Sequence, residues 1–263
     1  MGCACHVGPS RRAFLKGAAV AASLPLAGCD AAVPDWLADA LVPEPLAAEL
    51  GTAAFREILQ RTPPVRDAGV QRQVAAIGRR IVEASEPAWP DWQFVVLDSP
   101  ESNAFALPGG RVGVLTGMLE VAANEAQLAT VLGHEVGHVN ARHGAQRIVA
   151  EHALALALRL GGTLLAMSDA PVPPDLVVAL GGSLADVGLI RPFSRSQELQ
   201  ADALGLRYLA RAGYDPNEAV AFWQRMAGLE RGSRVPAFLS THPASQRRIE
   251  ELEELLPTVR RSA

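Results

Sequence analysis

Apolar and polar residues follow two different periods along this chain, and the switches between them mark out its elements. Over residues 67–85 (DAGVQRQVAAIGRRIVEAS), Val70, Val74, Ile77 and Ile81 recur every three or four residues, which predicts an amphipathic helix. The run WQFVVLD, residues 92–98, predicts a strand, and two extended runs within 102–117 flank Pro108-Gly109-Gly110 as the arms of a hairpin. The helical period then returns. Asn124 can cap a helix with Gln127 three residues on, and Ser194 with Gln197 repeats that pattern ahead of a helix ending near Arg211, before Gly213 and Pro216. A last helical region covers 243–255, while the prolines and alanines of residues 30–60 suggest a tether with short helical pieces. Together these elements predict an α+β domain, mainly α, with a small antiparallel sheet or hairpin. No internal repeat and no second domain is visible.

Two strongly apolar stretches, residues 152–167 and 176–190, raise the question of membrane spans. Arg159, Asp169, Asp175 and Asp186 interrupt them well short of the roughly 20 residues a span requires. Paired core helices are the reading preferred here, with association at a bilayer surface as the alternative. A hydrophobic fraction of 49% with 20% charged residues is ordinary globular composition, and a net charge of −4 leaves no basic footprint for nucleic acid.

The start of the chain reads as an export signal. SRRAFLKG, residues 10–17, precedes the short apolar run AAVAASLPLAG, residues 18–28, and its arginine pair resembles a twin-arginine signal. LAGC, residues 26–29, resembles a bacterial lipobox, which makes Cys29 the lipidated mature amino terminus. Cys3 and Cys5 would leave with the signal, so no internal disulfide is expected. The cut also removes Arg11, Arg12 and Lys16 but no acid, which takes the charge from −4 to −7. Asp30 resembles the inner-membrane retention signal of some enteric bacteria. The expected organisation is a signal at 1–28, a lipidated tether at 29–62 and one catalytic domain at 63–263.

The chemistry centres on VLGHEVGHVNARH, residues 131–143. Residues four apart share a helix face, so His134 and His138 can offer imidazoles to one metal ion, and Glu135 can reach a water on it. A catalytic zinc needs a third protein ligand and an open position. His143, five residues beyond His138, is turned away from that face and reads as a packing residue or a support for the ligands. Glu198 and Asp202 are a better source. One carboxylate could bind the ion while the other holds a ligand histidine by its free ring N–H.

These residues sit within NAFALPGG (103–110), GHEVGHVNARH (133–143), SRSQELQADALG (194–205) and THPASQRRI (241–249). In that order they resemble the zinc metallopeptidase family that includes HtpX, BepA, LoiP and the CAAX prenyl endopeptidases, over about residues 70–256. The resemblance implies a zincin-like, gluzincin fold and one zinc per chain. It makes His134, His138 and Glu198 the ligands, Glu135 the general base, and Asp202 the acid that orients His134. His242 then matches a residue that approaches the zinc, either as a fourth ligand that keeps the enzyme latent or as a stabiliser of the transition state. Asn103, Ala104 and Phe105 become candidates for a strand that pairs with extended substrate.

The reading is therefore a lipid-anchored zinc endopeptidase, facing the periplasm of a bacterial cell envelope. Its partners would be unfolded or misfolded polypeptides and, through Cys29, a membrane. The alternative is a latent or chaperone-like zinc-containing binding protein. The intact Glu135 favours the enzyme, because a structural site needs no general base.

Overall fold

A computed structural model of the chain describes residues 33–86, 89, 91–150, 193–230 and 235–262. The export signal, Cys29 and the two apolar stretches at 152–167 and 176–190 lie outside the described residues. Among the described residues, no helix is long and apolar enough to cross a membrane.

The N-terminal part folds as helices α1 (Asp35–Leu41), α2 (Glu44–Arg61) and α3 (Ala68–Ala84). In α3 the Asp67 side chain accepts from the N–H groups of Gly69 and Val70, and Val74, Ile77 and Ile81 are buried as their spacing predicts. In place of short helical pieces on a tether, α2 is an 18-residue helix that starts behind Pro43, with Pro45 in its first turn. Leu46, Leu50, Ala54, Phe55 and Ile58 form its buried stripe. They pack with Leu97, Phe105, Leu107, Leu115 and Ile148 in one of two hydrophobic clusters.

Three strands follow: β1 (Gln93–Leu97), β2 (Ala104–Leu107) and β3 (Arg111–Leu115). β2 and β3 form the predicted antiparallel hairpin, with Ala104 opposite Val114 and Leu107 opposite Arg111. Gly109 and Gly110 turn the chain with φ of 83° and 74°, the left-handed region open to glycine. β1 joins on the far side, parallel to β3, so the order is β1-β3-β2 and β2 stands at an edge.

Further helices that build the site are α4 (Thr116–Val121), α5 (Glu125–Asn140), α6 (Arg195–Arg211), α7 (Asn217–Glu230), α8 (Phe238–Thr241) and α9 (Gln246–Ser262). The expected caps are present. Asn124 accepts from the Gln127 N–H, and Ser194 with Gln197 completes a reciprocal capping box. Every residue of α5 from Gln127 to Val139 is buried, so this helix runs through the middle of the larger cluster rather than along its surface. α6 crosses α5 at a pair of glycines. A Cβ on Gly205 would stand 2.9 Å from the carbonyl carbon of Gly133 and the amide nitrogen of His134. That close approach lets the side chains of the two helices meet at one point.

Candidate metal centre

Four buried side chains converge where α5, α6 and the end of α8 meet. α5 supplies His134 and His138 one turn apart, α6 supplies Glu198 from its first turn, and His242 is the C-cap of α8. One ligand-type atom from each lies within 4.8 Å of the others. His134 Nε2 is 3.0 Å from His138 Nε2 and 3.1 Å from His242 Nδ1, and the Glu198 oxygens stand 3.4 and 3.5 Å from the two α5 histidines. Around a tetrahedral zinc with bonds of about 2.0–2.1 Å, donor atoms would stand about 3.3 Å apart. The spacing and the nitrogen–oxygen donor set therefore fit one zinc ion.

The other ring nitrogen of each α5 histidine is engaged outside this centre. His134 Nδ1 meets Asp202 Oδ1 at 2.9 Å, and His138 Nδ1 meets His143 Nδ1 at 2.8 Å. With each Nδ1 donating outward, both Nε2 lone pairs point inward at each other and at a carboxylate, an arrangement that calls for a cation. In the metal-free protein a proton supplies it. Burial disfavours charge on His134, yet Asp202 and Glu198 raise its pKa to about 9, while burial holds His138 well below the usual histidine value. His143, also buried, is pushed down to about 4.

Arg248 closes the far side and is the functional residue that the sequence reading missed. Its Nε and one terminal nitrogen donate to the two Asp202 oxygens at 2.6 and 2.7 Å. The other terminal nitrogen lies 2.7 Å from Glu198 Oε2 and donates to the Pro243 carbonyl. Burial works against charge on Glu198, but His242 and Arg248 hold it well below the usual carboxylate range. Asp202 is likewise lowered, mainly by Arg248. The guanidinium also lies over the Trp223 ring at 3.6 Å. A signal was present: Arg248 shares the buried face of α9 with Leu252 and Val259, and a charge on an apolar stripe implies a buried partner.

Glu135 follows His134 and is also buried. Its Oε1 makes no hydrogen bond and faces His242 Nε2 at 3.3 Å. Aromatic rings close in on the cluster: Phe193 stacks on His138 at 3.9 Å, and Phe238 on His242 at 4.4 Å. Beside His138 a cleft opens, lined by Ala106, Pro108, Arg142, Phe193 and Ala47 among others.

Ala106 brings β2 to that cleft, and Pro108 lies just beyond the strand. The Leu115 N–H bonds to the Asn103 carbonyl, so the antiparallel alternation turns the backbone of Phe105 toward β3 and that of Ala104 and Ala106 outward. The Asn103 side chain takes the Ala104 N–H. The Ala104 carbonyl and both backbone groups of Ala106 remain at the edge, and among the described residues no strand pairs with it.

A mainly helical domain with a small sheet and a His-His-Glu centre carried on two helices defines a zincin-like metallopeptidase domain. The model of peptidase family M48 matches residues 68–256, and the chain belongs to that family of zinc-dependent peptidases. It is 38% identical over 185 residues to the mitochondrial metalloendopeptidase OMA1 of Schizosaccharomyces pombe, covering 70% of this chain and 52% of that one. To the protein of the same name in Saccharomyces cerevisiae it is 35% identical, covering 82% and 65%. To the beta-barrel assembly-enhancing protease of Escherichia coli it is 31% identical, covering 76% and 42%. The chain thus spans less than two thirds of the length of each of these relatives.

Proposed function

We propose that this chain is a zinc-dependent endopeptidase, tethered by lipid on Cys29 to the periplasmic side of a bacterial cell envelope, that cleaves unfolded or misfolded envelope polypeptides. The observation that carries the reading is the buried His134–His138–Glu198 cluster with the unbonded carboxylate oxygen of Glu135 beside it. His134, His138 and Glu198 would hold the ion. Zinc, when bound, supplies a Lewis acid that lowers the pKa of a water and polarises a scissile carbonyl.

The residues of the chain do the rest. Asp202 and Arg248 together fix the ring of His134, and Arg248 pairs with Glu198 through Oε2. Glu135, which makes no hydrogen bond through Oε1, takes a proton from the attacking water and returns it to the leaving amine. An extended polypeptide added to the outer edge of β2 would pair with Ala104 and Ala106, with Asn103 and Phe105 holding that strand in place. Pairing through the backbone selects extension rather than sequence, which suits unfolded substrates.

One observation favours a second, latent reading. His242 Nδ1 lies among the ligand atoms, 3.0 Å from Glu198 Oε1, where it can fill the fourth position. Cleavage of unfolded casein, followed before chelation, after chelation and after zinc is returned, tests the two together. The enzyme reading predicts loss and recovery of cutting. Latency predicts no cutting until His242→Ala opens the site, and a binding protein would cut in neither form. For the tether, Cys29→Ala is expected to move the protein from the membrane fraction to the soluble one. Retention in the membrane fraction would refute the lipid anchor.

A further inference from the structure

His138 and His143 face each other through like atoms. Their Nδ1 nitrogens are 2.8 Å apart, so one must donate and the other accept. On the far side of His143, Nε2 is 3.0 Å from Gln200 Oε1. His143 itself is wholly buried, and the mechanism above makes no use of it.

We infer that His143 and Gln200 form a neutral hydrogen-bond relay that fixes the tautomer and ring orientation of the second zinc-ligand histidine. The inference rests on the zinc reading, because it takes His138 Nε2 as the ligand atom. For that nitrogen to carry a lone pair, the ring proton must sit on Nδ1. His138 Nδ1–H then donates to His143 Nδ1, which puts the His143 proton on Nε2, and that N–H donates to the Gln200 carbonyl oxygen. The reverse order would place a proton on His138 Nε2 and close it to metal. Gln200 lies on α6, two residues from Glu198 and two from Asp202. One helix thus supplies a ligand and orients both ligand histidines, His134 through a carboxylate and His138 through a histidine and an amide.

The chain leaves α5 in order to build this contact. After the helix ends at Asn140, Arg142 adopts φ of 56°, and the left-handed step brings His143 back against the ring of the residue five before it. A continued helix would have carried it away.

The experiment measures zinc affinity by chelator competition on the mature protein, with imidazole ¹⁵N shifts reporting the His138 tautomer and melting of the metal-free protein reporting its fold. His143→Leu should weaken zinc binding by about 10- to 100-fold, the range for lost supports of metal ligands, and blur the tautomer signal. His143→Asn places an amide oxygen near the former Nδ1 and should recover most of that loss. Gln200 is exposed, so its variants keep the fold. Gln200→Glu, which can only accept, should bind zinc at least as well as wild type, and Gln200→Met should bind more weakly. Wild-type affinity in His143→Leu would overturn the relay. So would an Asn variant as weak as the Leu variant, or a Glu variant weaker than the Met variant. A wild type that binds no zinc would instead overturn the reading on which the relay rests.

Discussion

Two buried acids of α6 answer to one arginine, and this contact controls the centre at the scale of single residues. Arg248 neutralises Asp202 and Glu198 at once, so Arg248→Met leaves two buried carboxylates against one fewer cation. A loss of about 3–5 kcal/mol is expected, as for other buried ion pairs broken on one side. Urea unfolding of the metal-free variant reads it, and a loss below about 1 kcal/mol would mean the pair is dispensable. The raised pKa of His134, about 9, has its own consequence. At pH 7 the metal-free site holds a proton there, and the ion needs that nitrogen bare. Zinc binding at pH 7 should therefore release about one proton, and apparent affinity should rise with pH until about 9. Calorimetry in two buffers of different ionisation heat measures the release, and none would contradict the assignment.

What was legible at this scale was the chemistry that helix periodicity places. His134, Glu135, His138, Glu198 and Asp202 are brought together through one-turn spacings on two helices whose caps could be read. His143 reads from its spacing as a packing residue or a support for the ligands, and the left-handed step at Arg142 brings it against His138 in the supporting place. The apolar stripe of α9 signals that Arg248 has a buried partner but does not name it, because Asp202 and Glu198 lie 46 and 50 positions earlier in the chain.

Between elements, the crossing of α5 and α6 decides whether the centre exists. Gly133 and Gly205 let the two backbones touch, at a cost in helix propensity of about 1 kcal/mol each against alanine. Gly205→Ala recovers that propensity but drives a methyl group against the His134 backbone nitrogen at 2.9 Å. The net effect is expected to be destabilising by roughly 1–3 kcal/mol, with weaker zinc binding. A higher melting temperature in the variant would show that the helices can separate without harm. The helices with polar caps were readable because side-chain capping is local. The parallel pairing of β1 with β3 was not, since nothing in either strand names its partner. The length of α2 is not legible locally, because prolines and alanines at its start mask a stripe whose later members, Leu50, Phe55 and Ile58, pack against strands far along the chain.

For the whole molecule, the proposed substrate edge of β2 and the centre share the cleft that Ala106 and His138 both line. Proline at an edge position removes an outward N–H while leaving the inner pairing intact. Ala106→Pro is thus expected to lower kcat/KM roughly two- to tenfold, the worth of one hydrogen bond of about 0.5–1.5 kcal/mol, with zinc content unchanged. An unchanged kcat/KM would place substrate elsewhere. The helices α1 and α2 lie before the residues matched by the family model, yet Ala47 of α2 lines the cleft and Asp39 of α1 pairs with Arg142 at its rim. Helices α1 and α2 thus stand beside the cleft.

Everything proposed for this site turns on Glu135 moving a proton at a zinc held by His134, His138 and Glu198. The decisive measurement is zinc content and casein cleavage on the same preparations of His242→Ala and of His242→Ala with Glu135→Gln, the shared substitution keeping latency from masking the result. One zinc per chain is expected in both, with a loss of cleavage of about 10²- to 10⁴-fold in the glutamine variant. Equal cleavage by the two, or cutting by His242→Ala without zinc, would rule out that role.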